Sequence, residues 1–393
     1  MTWLRIGWFY AVGVLAAAQL GKLSSLATPI SQALDLHLSS VALVISLLEL
    51  AGALLGLAAG RIVARLGLRR SLVAGLALLT LAGLGQGLST SSDGLLAWRA
   101  LESVGYLAIV VAAPVLIFHS AREADRDSAL ALWSSFVPVG VALGAMSAGL
   151  LAELWSWRAS LMAIAATAGI ACLTTWAVPA PVEPATLPRA ARRRLPPPRA
   201  WALSAAFGCY ALFEVGMLAL LPSFLVEQTG AGTGLAGLVT GLASFATLAG
   251  SIVAAWHRRR QRSGTGPLLA LALLLPAALL FLLFRPEPGL AVAATLAILL
   301  NAVSGIFPGL AFALLPKVAG RAGLTGASGL LTQFGASGSL LGPPSYALLV
   351  AWWGWQGAAL AGCVASLACL VLMRAALHPA MPGTGQRLLE GCP

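Results

Sequence analysis

Five ionisable side chains fall inside long apolar stretches of this chain: Lys22, Glu49, Arg99, Glu102 and Glu214. A charge in hydrocarbon costs about 2.5–3.5 kcal/mol on insertion scales, so such residues are functional by default and usually paired. Arg99 and Glu102 stand three residues apart, on one face of a helix. They read either as an internal ion pair that positions the helix or as a working pair. In the second case the guanidinium grips a substrate oxyanion while Glu102 exchanges a proton. Lys22 follows Gln19 by three residues and lies among Gly21, Ser24 and Ser25. It is either a ligand on a polar helix face or a lysine reaching out to the interface. Lys22 and Arg99 can be balanced by Glu49 and Glu102, whereas Glu214 has no basic residue at similar depth in its own half. A lone carboxyl in a medium of low dielectric tends to stay protonated. Glu214 is therefore the first candidate for carrying a proton, with Glu49 and Glu102 behind it. Its plainer reading is a neutral acid hydrogen-bonded to a neighbouring helix. Asn301 and Gln333 are uncharged polar groups at mid-run, able to hydrogen-bond a solute or to tie helices together. Tyr106, Trp133, Tyr210 and Phe213 offer apolar lining or ordinary packing.

These residues must be held by membrane helices. Of the 393 residues, 59% are hydrophobic and only 9% charged, where a soluble domain carries about 25% charged residues. Mean hydropathy is +0.90. The composition excludes a soluble enzyme, a disordered chain and a disulfide-rich secreted domain. The apolar runs are continuous, unlike the alternating strands of a membrane β-barrel. Twelve runs occur, roughly at 6–28, 41–60, 68–88, 95–118, 128–151, 159–178, 201–225, 235–256, 267–284, 289–315, 325–350 and 356–376. Between the sixth and seventh lies the one long polar segment, 179–199, rich in proline and arginine and read as a linker. The expected organisation is a six-helix bundle over 1–178, this linker, a second bundle over 200–376 and a tail over 377–393. Depths follow from a rise of about 1.5 Å per residue: about 9 Å for Lys22, about 6–10 Å for Arg99 and Glu102 and about 12 Å for Glu49.

The formal charge of +11 is not spread evenly. Twenty of the 24 Lys and Arg residues fall on one side if the N-terminus is inside, and only Arg158 and Arg285 fall on the other. This positive-inside pattern puts both termini in the cytoplasm and requires an even number of spans. The arginines mark topology beside anionic lipid. They form no basic groove with interleaved aromatics, so nucleic acid is not an expected partner. The five cysteines have no metal-ligand spacing. No phosphate-binding Gly-x-x-x-x-Gly-Lys-Ser/Thr loop, His/Cys metal cluster or nucleophilic triad can be defended, so neither an enzyme nor a cofactor is expected.

The two halves repeat. At an offset of 198, Phe136, Gly140, Gly144, Trp155 and Trp157 match Phe334, Gly338, Gly342, Trp353 and Trp355. At an offset of 194, Ser46, Gly56 and Arg65 meet Thr240, Gly250 and Arg259. Pro29 at the end of span one corresponds to Pro222 at the end of span seven. Two parallel repeats of six spans can rock about a midplane site.

The stretch Gly60-Arg-Ile-Val-Ala-Arg65-Leu-Gly67-Leu-Arg69-Arg70 resembles the loop signature Gly-x-x-x-Asp-Arg-x-Gly-Arg-Arg of the major facilitator superfamily. Gly60, Arg65, Gly67 and Arg69 match it, and Ala64 stands where the Asp is expected, which implies a weakened cytoplasmic latch. Arg99-Ala-Leu-Glu102-Ser-Val-Gly105 resembles the family's Arg-x-x-Gln-Gly-x-Gly element. Pro138-x-Gly140-x-x-x-Gly144 partly resembles its antiporter element without the adjacent Gly-Pro pair, and Trp157-Arg158 also fits. Gly21-Lys22-x-Ser24 with Pro29, and Arg99 with Pro114, are similar to cyanate- and nitrate-type permeases. The resemblance implies an all-α fold of twelve transmembrane helices in two pseudo-symmetric bundles. It puts Lys22, Arg99, Glu102 and Glu214 on helices that line a central cavity. The expected protein is a monomeric, proton-coupled secondary transporter of a bacterial inner membrane, moving a small anionic solute. A proton-driven exporter of amphipathic compounds and a ligand sensor that moves nothing are the alternatives.

Overall fold

The computed structural model describes residues 2–125, 129, 132–133, 135–177, 197–259 and 265–377. Among them there are only helices and their connections, and eleven stretches are long and apolar enough to cross a membrane. Span one is Thr2–Ser25, continued past a turn at Leu26 by Ala27–Leu34. Span two runs Leu38–Ser46, a 3-10 turn Leu47–Glu49, then Leu50–Leu66. Spans three to six are Leu68–Leu88, Ser92–Ser120, Phe136–Leu154 and Trp157–Ala177. Spans seven to nine are Pro198–Thr229, Thr233–Arg259 and Gly266–Leu283. Span ten begins as Leu290–Ser304 and span twelve is Trp355–Leu377.

The remaining helix, Ile306–Trp353, has 48 residues, too many for one crossing. Its packing shows that it holds two antiparallel arms. Phe207 lies edge-on to Phe312 with ring centroids 5.4 Å apart, and it also abuts Gly335. A straight helix would separate residues 312 and 335 by about 35 Å. The segment therefore doubles back, its first arm finishing span ten and its second forming span eleven. This gives the twelve expected spans. The linker and tail fall almost entirely outside the described residues.

The buried apolar residues gather into clusters that lie mainly within one half or the other. The largest is built mainly from spans seven to twelve, around Phe213, Met217, Phe224, Phe307 and Tyr346, and takes in Ala42 of span two. Spans one to six hold most of the others, around Phe9, Leu76, Ile109 and Leu116 near one end and Leu26, Ile45 and Leu161, with Ala219 of span seven, near the other. The repeat read from the sequence has a packing basis. A Cβ on Gly140 or Gly144 would collide with the span-one backbone at Val14 to Ala18. A Cβ on Gly338 or Gly342 would collide with the span-seven backbone at Gly208 to Leu212. Small residues at four-residue spacing let these helix pairs touch backbone to backbone, which a membrane interior rewards with close packing.

The halves meet along two seams. Spans five and eight touch through Gly149 with Gly237, through Glu153, which accepts a 2.7 Å hydrogen bond from the Gly234 amide, and through Ser244, which donates to the Pro138 carbonyl at 3.1 Å. Spans two and eleven touch through Gly52 with Ala336 and Gly56 with Gln333. One proline expectation needs correction, and a second proline has a plain local reason. Pro222 lies inside the span-seven helix and not at its end. Pro138 sits in the first turn of span five, where its missing N–H costs nothing.

Candidate functional site

Span four carries the first cluster. Glu102 is fully buried and accepts from three sides: Lys22 Nζ at 2.6 Å, Arg99 Nη1 at 2.6 Å and Gln86 Nε2 at 2.7 Å. These donors come from spans one, four and three. Arg99 donates further through Nε to the Val44 carbonyl at 3.1 Å. Its Nη2 donates to the carbonyls of Gln19 at 2.9 Å and Ile45 at 3.0 Å. Four of the five guanidinium N–H groups are committed. Arg99, Glu102 and Lys22 have no exposed surface. The cluster thus pins four helices of the first half, and Arg99 with Glu102 forms the internal pair. Gln86, whose type and position inside an apolar run were the available signal, is the member that the charge count overlooks. Gln19 is buried, but its amide donates to the Leu15 carbonyl of its own helix at 3.0 Å, so its part in the cluster is played by its backbone.

Arg99 also explains the break in span two. Val44 and Ile45 precede the 3-10 turn Leu47–Glu49, where the regular ladder of carbonyl acceptors changes register. The guanidinium supplies donors there. The break sets Glu49, 8% exposed, beside Tyr106 of span four and at the seam with span eleven. A methyl group on Gly52 would lie 2.9 Å from Ala336 Cβ and 3.3 Å from Glu49 Oε2. Gln333 reaches across the same seam: its Oε1 accepts from the Leu57 amide at 3.3 Å.

The second cluster belongs to the other half. Glu214, 7% exposed, sits at mid-length of span seven. Ser304 Oγ of span ten donates to its Oε2 at 2.9 Å, and Thr247 Oγ1 of span eight donates to its Oε1 at 3.3 Å. Among the described residues no cation pairs with it. Neither hydroxyl was singled out by sequence, because serine and threonine are common in membrane helices. Pro308, four residues beyond Ser304, was the available signal. A proline has no N–H to offer the Ser304 carbonyl, and the span-ten helix is interrupted at Gly305. Asn301, fully buried, donates to the Ala297 carbonyl at 2.8 Å and leaves its Oδ1 without a partner. Toward the arginine-rich end an aromatic stripe follows Glu214: Tyr210 stacked on Phe307 at 4.9 Å, then Phe207 on Phe312, then Trp201 edge-on to Phe334.

The loop signature has a local role. Gly67 ends one helix and begins the next with φ +90°, a conformation that side chains rarely adopt. Arg69 donates to the Trp176 carbonyl at the end of span six and stands over the Trp176 ring. Arg65 is exposed, and nothing lies within 4 Å of where a Cβ on Gly60 would sit. At the other end Trp352 and Trp353 are exposed, as an interfacial belt requires, but Trp355 packs against Phe224 and Phe284 and donates to Glu227.

Comparison with known proteins agrees with this architecture. No curated protein matches the sequence. The fold is similar to that of a bacterial homologue of the human lysosomal transporter Spinster in an inward-facing, unoccupied conformation, with a TM-score of 0.77 at 16% identity and 95% of each chain covered. It is similar to a D-xylose–proton symporter, with a TM-score of 0.73 at 16% identity, covering 96% of this chain and 99% of that one. A mutant of the nucleoside transporter NupG gives a TM-score of 0.76 at 12% identity, covering 95% of this chain and all of the other. The family model described as Major Facilitator Superfamily matches residues 9–343, and the chain belongs to that superfamily of membrane transporters.

Proposed function

We propose that this protein is a proton-coupled secondary transporter in which Glu214 carries the proton. The observation behind this reading is a buried carboxyl held by two hydroxyls from two other helices, with no cation beside it among the described residues. Such a group stays in low-dielectric surroundings at least cost when it is neutral, and it is poised to lose its proton when the bundles rearrange and water or solute reaches it. Glu49, at the seam between the bundles, is the second carboxyl for this role. The two seams give the bundles surfaces on which to rock, so alternating access about the midplane follows.

For the solute, the pairing of Lys22 and Arg99 supports an uncharged or cationic amphipathic compound. A small anion would have to displace Glu102 from both cations and strip span-two carbonyls of their donors. The aromatic stripe from Tyr210 to Trp201 offers apolar and π-faced surface instead. Asn301 and Gln333 are the uncharged polar groups that would orient the solute. In this reading Lys22 and Arg99 position helices, and the anion-carrying role belongs to the alternative. The expected setting is a bacterial inner membrane with both termini in the cytoplasm.

The test is transport in proteoliposomes under an imposed pH gradient, with a panel of amphipathic cations and small carboxylates. Glu214→Gln is expected to keep its fold and lose the response to the gradient. Full gradient-driven transport in that variant would refute the assignment. Transport of carboxylates alone would return the solute to the anionic class.

A further inference from the structure

We propose that the pocket around Glu214 is a binding site for a small monovalent cation of the Na+ class, which competes there with the coupling proton. This rests on the reading of Glu214 as the coupling carboxylate. The groups that converge are all oxygens, and they come from three helices. Glu214 contributes its carboxylate, Ser304 a hydroxyl 2.9 Å from it and Thr247 a hydroxyl 3.3 Å from it. Two further oxygens are buried and unpartnered. Asn301 has no exposed surface and an Oδ1 that no donor meets. It stands one turn before Ser304, on the same helix face. Tyr210 is 5% exposed, and its hydroxyl lies close to Ser304 and Glu214 without completing a hydrogen bond to either. It stands one turn before Glu214, again on the same face. Buried polar atoms are nearly always satisfied, so an orphaned amide oxygen on the helix that carries Ser304 and an orphaned hydroxyl beside the carboxylate leave lone pairs for a further partner.

A second observation points to the sign of that partner. Span ten is irregular beside Glu214: the helix Leu290–Ser304 and the helix from Ile306 are joined at Gly305, whose φ −59° and ψ −14° stay helical and whose amide still donates to the Asn301 carbonyl. Pro308 leaves the Ser304 carbonyl without its usual donor. The neighbouring Gly305 carbonyl accepts from Ser251 Oγ at 3.1 Å. Carbonyls freed at irregular points of membrane helices are among the groups that hold coupling cations.

Chemistry sets the class of ion. Hard oxygen donors with no nitrogen or sulfur exclude a preference for soft transition metals. One carboxylate neutralises one positive charge, whereas a divalent ion would leave a net charge in the bundle interior. A proton and Na+ thus satisfy the same site in turn. The titratable groups facing Glu214 are Tyr210 on its own helix and Tyr346 on span eleven, with Cys369 of span twelve beyond Tyr210. None of them supplies a positive charge, so Glu214 is the group at which the two ions exclude each other.

Equilibrium binding of radioactive 22Na+ to the purified full-length protein, at pH 8 with choline as the inert cation, tests this. The wild type should bind Na+ saturably, and Glu214→Gln should not bind it. Ser304→Ala should weaken binding by roughly ten- to hundred-fold, the scale on which metal sites respond to loss of one supporting group. Should that variant misfold, Thr247→Val serves the same purpose. In the acid range each unit fall in pH should weaken Na+ binding up to about tenfold, as competition for one carboxylate requires. Absence of saturable binding by folded wild type, or equal binding by Glu214→Gln, overturns the proposal. If Na+ does not bind but Glu214→Gln still abolishes gradient-driven transport, the cation site falls and the coupling role of Glu214 stands. If transport by Glu214→Gln still follows the gradient while its Na+ binding is lost, the coupling role falls and the site stands.

Discussion

Removal of the Glu102 charge should destabilise the protein more than removal of the Lys22 cation that Glu102 binds. The carboxylate accepts from Lys22, Arg99 and Gln86, and neither cation has exposed surface. Glu102→Gln is close in shape but leaves two positive charges buried without a counter-charge. Breaking a buried ion pair by removing one partner costs about 3–5 kcal/mol, or roughly a hundred- to several-thousand-fold in the folding equilibrium. Lys22→Met is different. It removes one cation and leaves Glu102 paired with Arg99, still accepting from Gln86. Its cost is about 1–3 kcal/mol, the scale of a lost charged hydrogen bond offset by added apolar contact. The order is therefore Glu102→Gln well below Lys22→Met in stability. The double variant should recover part of the loss through a coupling of about 0.5–3 kcal/mol. Thermal unfolding in detergent, followed by the fraction that stays monodisperse on size exclusion, measures all three. Equal stability of Glu102→Gln and Lys22→Met would refute the view that the cluster is a charge-balanced clamp.

Arg99→Lys keeps the charge but cannot reach two carbonyls of span two and Glu102 together, so the Leu47–Glu49 break should loosen. Hydrogen exchange at the amides following Val44 and Ile45 should rise in this variant, and unchanged protection there would separate the break from Arg99. Gly338→Ala should cost about 1–3 kcal/mol by overpacking the span-seven and span-eleven contact, read as a lowered unfolding temperature. Gly7→Ala, with open space around it, should be neutral by comparison.

The candidate site shows where sequence reading reaches its limit. Charge type and the i, i+3 spacing singled out Arg99 and Glu102, and the count of charges in each half isolated Glu214. Spacing along one helix could not tell that Lys22 and Gln86 arrive from two other helices, because those approaches are set by packing. Nor could it tell that Arg99 spends its donors on backbone carbonyls. Pro308 stands in plain view within an apolar run, but its effect on Ser304 and Glu214 depends on which helix stands opposite. The seam residue Glu49 was read as a charge at mid-depth, yet its place beside Ala336 needs span eleven to be docked.

The membrane class, the number of crossings and the duplication of the halves are properties of the chain itself, since apolar runs, charge bias and repeated small residues are written locally. The contacts that give each buried charge its partner come from helices up to 90 residues apart, and burial forces every polar group to find whichever donor the fold brings near. For that reason Glu214 acquired hydroxyls and a helix end, while Arg99 acquired a carboxylate and three carbonyls.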